Sequence, residues 1–172
     1  LAPPSSTTAT LVMGDALAIA LLEARGFTEE DFARSHPGGS LGRRLLLLVS
    51  DVMRTGTDIP VVDQNASLGD ALLEISQKGM GMTAIINDEH RLSGIFTDGD
   101  LRRAFEKNLD IHKTQVIEVM TRNCKTVSES ALAAEALNIM DSGKISDLLV
   151  TDNNQKIIGA LNMHDLLRAG VV

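Results

Sequence analysis

Between residues 9 and 25 apolar side chains recur at mostly helical spacing: Leu11, Val12, Ala16, Ile19, Ala20 and Leu22. That spacing predicts a helix, which Gly26 closes. Thr28 then caps a short acidic turn, Glu29-Glu30-Asp31, whose carboxylates complement exposed N–H groups. Ser35-His36-Pro37-Gly38-Gly39-Ser40-Leu41-Gly42 reads as a loop, and Arg43-Arg44 lead into a connector.

Beyond residue 50 the pattern is written twice. Asp51-Val52-Met53 recurs as Glu118-Val119-Met120, Asp70-Ala71-Leu72 as Glu135-Ala136-Leu137, and Ile86-Asn87-Asp88 as Val150-Thr151-Asp152. Gly94-Ile95-Phe96-Thr97-Asp98-Gly99-Asp100-Leu101 recurs as Gly159-Ala160-Leu161-Asn162-Met163-His164-Asp165-Leu166. Several separate anchors at a nearly constant offset of about 65 residues mean a duplication. Each copy predicts a short strand (Ile59–Val62; Lys125–Val127) and then a capped helix. The caps are Ser67, and Ser128 or Ser130; the apolar stripes are Leu68, Ala71, Leu72, Ile75, and Leu132, Leu137, Met140. Gly79 or Gly143 stops the helix. Strands Thr83–Ile86 and Leu148–Val150 follow, then a polar turn, a strand ending at Phe96 or Leu161, and a helix from Asp98 or Met163.

The strand-to-helix ending carries candidate chemistry. Thr97 sits where the strand meets the helix, and Asp100 falls in the first helical turn. Unpaired N–H groups and a partial positive charge there favour a phosphate, to which a hydroxyl can donate. A carboxylate beside it can accept from two adjacent ribose hydroxyls. The same residues can equally be simple helix caps.

The order β-α-β-β-α, with its hydrophobic–Gly–two apolar–Thr/Asn–x–x–Asp ending, resembles the CBS (cystathionine-β-synthase-type) module. The resemblance implies an α/β (α+β) fold built as a tandem CBS pair, residues 49–110 and 111–172. It also implies that Thr97 meets phosphate, that Asp100 and Asp165 take ribose hydroxyls, and that Met82, Thr83, Ile145 and Ser146 line a base pocket. Asn162 departs from the family's Thr/Ser, so the second site is expected to bind differently or stand empty. Arg102 and Arg103 would add positive charge beside a phosphate or lie on a solvated face.

Charge and composition narrow the partners. A net charge of -7 argues against nucleic acid, as does the absence of Trp and Tyr with only four Phe. One cysteine, Cys124, forms no internal disulfide and suits a reducing cytoplasm. The purely apolar runs, Leu45 to Val49 and the longer Ala16 to Leu22 among them, are far below the ~20 residues of a membrane span. We therefore expect a cytoplasmic protein with no membrane partner, no metal and no cofactor. The chain opens on Leu1 in a Pro/Ser/Thr-rich stretch, so it reads as a piece of something longer.

Residues 1–48 supply the remaining resemblance. Ser5-Ser6-Thr7-Thr8-Ala9-Thr10, Met13-Gly14-Asp15-Ala16-Leu17-Ala18 and Ser35-His36-Pro37-Gly38-Gly39 resemble the end of the sugar-isomerase (SIS) domain of D-arabinose 5-phosphate isomerases. Those enzymes carry a CBS pair directly after it. The resemblance implies interconversion of ribulose and arabinose 5-phosphates for 3-deoxy-D-manno-octulosonate and lipopolysaccharide synthesis. It makes His36 a catalytic candidate, since a near-neutral imidazole can move a proton between carbons. The family's lysine and glutamates lie upstream, so this chain alone is expected to be inactive. The pair is expected to sense CMP-3-deoxy-D-manno-octulosonate or an adenine nucleotide, and to associate with itself as a dimer, a tetramer in the full enzyme. Two other readings stay open: a structural oligomerisation module, or a SIS–CBS relative acting on another sugar phosphate.

Overall fold

The computed structural model describes residues 4–28, 31 and 46–171. Helix α1 (Pro4–Ala24) starts earlier than the apolar spacing suggested. Its side chains from residue 6 onward are exposed, Leu11, Val12, Met13, Leu17 and Ile19 among them. By length and composition Ser6–Ala24 could cross a membrane, although Asp15 and Glu23 interrupt its apolar residues. A helix apolar on all sides needs cover of some kind. The expected Thr28 cap is present: Thr28 N–H and hydroxyl donate to Asp31 Oδ2, and Asp31 N–H donates back.

The duplicated part forms two three-stranded sheets. The first is β1 (Val61–Asp63), β2 (Met82–Ile86) and β3 (Leu92–Thr97), with helices α2 (Leu68–Lys78) and α3 (Asp98–Glu106). The second is β4 (Thr126–Val127), β5 (Asp147–Thr151) and β6 (Ile157–Asn162), with α4 (Ala133–Gly143) and α5 (Met163–Arg168). In each, the first strand runs parallel to the second and the second antiparallel to the third. Val61 pairs with Ala84, and Thr126 with Leu149. Strand β1 lies later than the expected Ile59–Val62, because Ile59 and Pro60 follow a single helical turn, Gly56–Asp58.

Helix starts in the two copies differ. Ser67 caps α2 as expected, accepting from Asp70 N–H while Asp70 Oδ2 takes Ser67 N–H and hydroxyl. Those two donors, hydroxyl first, hold the Asp70 carboxyl below its ordinary range. In the second copy neither Ser128 nor Ser130 is the cap. They bond to each other, and Leu132 stands at the cap position with no side-chain acceptor. The Ala133 N–H goes instead to the Leu47 carbonyl, 2.7 Å away on the connector. Gly79 closes α2 in the left-handed conformation; Lys144, not Gly143, holds that position after α4.

The connectors decide how the modules combine. Val49 and Ser50 donate to the Ala131 and Glu129 carbonyls, and Arg54 pairs with Ala160 through both backbone groups, 2.8 and 3.1 Å. Leu47, Val49, Val52 and Met53 thereby join the core of the second module. In the mirror arrangement, Val116 donates to the Ala66 carbonyl, and Ile95 and Thr121 exchange both backbone bonds. Val116, Val119 and Met120 complete the core of the first module. Each connector thus finishes the opposite copy. A third cluster, Met80, Met82, Ala84, Leu149 and Ala160, lies where the two sheets face each other.

Strand alternation puts Thr83 on the same face of β2 as Ile85, toward the helices, opposite to Met82 and Ala84. It is fully buried, and its hydroxyl has no hydrogen-bond partner among the described residues. Burying an unpaired hydroxyl costs about 1–3 kcal/mol. Thr83→Val removes that penalty with little change of volume. It should raise stability by about 1 kcal/mol, read as a higher urea midpoint at unchanged m.

Candidate functional site

The strand-to-helix endings are built alike. Thr97 caps α3: its hydroxyl accepts from Asp100 N–H at 3.3 Å and donates to Asp100 Oδ2 at 2.7 Å. Asn162 caps α5 in the same way, its amide oxygen accepting from Asp165 N–H at 2.9 Å. Asn and Thr are both good N-caps, so the change between copies preserves the helix start. The hydroxyl that the sequence offers to a phosphate is here engaged by the cap.

The two acids meet different surroundings. Asp100 is 1% exposed. Its Oδ2 accepts from Thr97 N–H and hydroxyl, and its Oδ1 from Arg103 and from the Thr121 hydroxyl at 2.9 Å. Asp165 keeps 10% of its side chain exposed and faces Arg54, which is 21% exposed. Arg54 Nε donates to Oδ2 at 3.1 Å, its Nη2 to Oδ1 at 3.3 Å, and its Nη1 to the Lys78 carbonyl at 2.8 Å. Arg168 approaches Oδ1 at 3.7 Å. Arg54, Asp58, Lys78, Asp165 and Arg168 line a cleft of about 540 Å³ between the modules. Three cations against two carboxylates suit an anionic ligand, and the carboxylate beside them suits a pair of hydroxyls.

The other candidates scatter. Met82 is buried between the sheets, and Thr83 lies on the opposite face of its strand. Ile145 packs partly against the second core. The Ser146 hydroxyl is exposed and donates to Asp147 Oδ2, while its carbonyl accepts from Met163 N–H. His36 lies outside the described residues. Cys124 lines a second cleft with Arg122 and Asn123, and burial pushes its thiol up, away from the reactive thiolate. Among the described residues no cluster of His, Cys, Asp and Glu could hold a metal.

Sequence reasoning missed Arg54, Thr121 and Arg168. A signal existed: Arg54 and Thr121 each follow a Val-Met pair, and Arg103 and Arg168 each stand three residues after the acid. Aligning the copies beyond their apolar anchors exposes both.

Comparison with known proteins adds identity to this geometry. A family model described as the CBS domain matches residues 49–107 and 116–172. Arabinose 5-phosphate isomerase KdsD of Yersinia pestis is 60% identical over all 172 residues, which cover 52% of that protein. The protein of the same name from Pseudomonas aeruginosa is also 60% identical, with 53% covered. The chain spans about half the length of these relatives. Among solved structures, CBSX2 in complex with AMP is 28% identical at a TM-score of 0.62, covering 73% of this chain and 96% of that one. The CBS domain pair of protein MJ0100, in complex with 5′-methylthioadenosine and S-adenosyl-L-methionine, is 25% identical at a TM-score of 0.62. That match covers 70% of this chain and 97% of the other.

Proposed function

This chain belongs to the CBS-domain family, and on that premise we propose that its module pair is the nucleotide-sensing part of an arabinose 5-phosphate isomerase. The observation that carries the sensing reading is the inter-module cleft of about 540 Å³, lined by the Asp165 carboxylate together with Arg54, Lys78 and Arg168. A ribose diol suits the carboxylate, and a phosphate or sugar carboxylate suits the cations. AMP and adenosine derivatives bound to CBSX2 and to the MJ0100 pair support the nucleotide class. An adenine nucleotide is therefore one candidate. CMP-3-deoxy-D-manno-octulosonate, a cytidine nucleotide with a sugar carboxylate, is the other, suggested by the pathway that the KdsD name implies.

The isomerase reading rests on the KdsD relatives at 60% identity. In it, His36 is an acid–base group, and α1 is covered by the half of the protein that precedes this chain in those relatives. Protein rather than lipid is then what surrounds its apolar sides. Exposed Leu73 on α2 and Phe105 on α3 are surfaces through which two pairs would associate. The saturated Asp100 favours a second reading for its half of the molecule, a structural tie without ligand.

Thermal unfolding of the chain with adenine and cytidine nucleotides tests the sensing function. Ligand at a hundredfold excess over its dissociation constant should stabilise the fold by about 2.7 kcal/mol. No shift with any nucleotide at millimolar concentration would leave only the structural reading.

A further inference from the structure

We propose that the two duplicated acids have divided their roles, Asp165 taking the ligand and Asp100 none, and that Arg54 changes partner when the ligand arrives. The proposal rests on the nucleotide-sensing reading and names its site and its moving residue.

The argument is a count of acceptor positions. A carboxylate offers about four, and Asp100 has four donors. Two of them come from its own cap and one from Thr121, a short side chain on the opposite connector. At 1% exposure a ribose could enter only by displacing groups that hold the modules together. Asp165 has three donors, and only the Asn162 N–H at 3.1 Å is part of the backbone. The other two are the Arg54 contacts at 3.1 and 3.3 Å, longer than the ~2.7–2.9 Å of a strong charged pair. Arg168, at 3.7 Å, is beyond hydrogen-bonding distance.

Asn162 explains the difference. Thr97 gives its hydroxyl proton to Asp100 Oδ2, whereas Asn162 uses its amide oxygen to accept from Asp165 N–H. Asp165 is therefore one side-chain donor short. The residue that departs from the family pattern is the one that leaves its acid available.

Arg54 and Thr121 occupy matching places, each after Val-Met and each paired by its backbone to the opposite module. Threonine cannot swing, but arginine can. When vicinal hydroxyls take Asp165, the guanidinium released from it meets the ligand's phosphate or carboxylate, alongside Arg168 and Lys78. Arg54 directly follows the connector residues Leu47, Val49, Val52 and Met53 that complete the second core.

Titration calorimetry on the chain with adenosine, AMP, cytidine and CMP tests the assignment. Asp165→Asn should weaken nucleotide binding about tenfold or more, whereas Asp100→Asn and the milder Thr121→Val should leave it unchanged. Arg54→Gln should shift the two ligand classes in opposite directions. A nucleoside binds more tightly because Asp165 is already free, and its monophosphate binds more weakly because a phosphate partner is gone. A structural role for Arg54 would move both the same way. If Asp165→Asn proves unfolded by its melting curve, the opposed shifts in Arg54→Gln decide the matter. Loss of binding in Thr121→Val or Asp100→Asn with Asp165→Asn unaffected overturns the assignment but leaves sensing intact. Parallel shifts in Arg54→Gln overturn the change of partner. No binding of any probe to the unmodified chain overturns both readings together.

Discussion

Replacing Gly94 with alanine should destabilise the chain by about 1–3 kcal/mol or more, the usual cost of forcing an atom into a filled space. A Cβ at this position would sit 2.6 Å from the Thr121 carbonyl oxygen and 3.1 Å from Met120 Sδ. The oxygen cannot retreat freely, because it accepts from Ile95 N–H at 2.9 Å and anchors the second connector to β3. Gly159 is the counterpart in the other copy. Its added Cβ would strike the Met53 thioether and lie 3.2 Å from the Arg54 carbonyl. A thioether on a flexible side chain moves more cheaply than a paired backbone oxygen, so Gly159→Ala should cost less. For a chain of this length each kcal/mol lowers the melting temperature by about 2–4 °C. Thermal melts of the two variants check the order. Unchanged stability in Gly94→Ala, or a larger loss in Gly159→Ala, would contradict the contact geometry.

Asp100→Ala should cost about 2–4 kcal/mol, combining the lost side-chain half of the capping box with part-buried donors left unpaired. Thr97 N–H, the Thr97 hydroxyl and the Thr121 hydroxyl all lose their acceptor, while the mostly exposed Arg103 simply turns to water. Asp165→Ala should cost less, because the cleft admits water to the groups it leaves behind. Urea unfolding of both variants gives the comparison directly. If Asp100→Ala unfolds like the parent chain, the carboxylate is not a structural tie and the division of roles between the two acids fails with it.

The local patterns carried a large share of the fold. They placed both ends of β2, β5 and α2, the last residues of β3 and β6 and the starts of α3 and α5 within a residue or two of those observed. Those patterns reflect which side of each element meets apolar neighbours, and that information is local. Where the prediction slipped, the partner was remote. Leu132 stands at a cap position with no acceptor of its own, and the carbonyl that takes the Ala133 N–H comes from Leu47. No serine near residue 130 was needed, and nothing adjacent in sequence shows it.

The candidate site divides in the same way. Repetition by itself identified Asp100, Asp165, Thr97 and Asn162, because two copies of one ending mark residues that a single copy would not. It could not rank the two acids. Their difference lies in the cap, Thr97 against Asn162, and in Thr121 and Arg54, each far along the chain from the acid it touches. Thr83 shows the limit for pocket residues: the strand was legible, yet which face it turned to the helices emerged only from packing.

What the sequence determined alone was therefore the duplication, the order of elements within each copy and the position of the strand-to-helix acids. What only the tertiary structure decided was the crossing of the connectors. Residues 47–53 and 116–120 are apolar enough to complete either core, and the two cores present similar vacancies because they are copies. Their assignment depends on backbone pairing between Arg54 and Ala160 and between Thr121 and Ile95. Those pairings couple segments that are distant in the chain, so no local pattern encodes them. They also place one long cation, Arg54, against Asp165 and one short hydroxyl, Thr121, against Asp100.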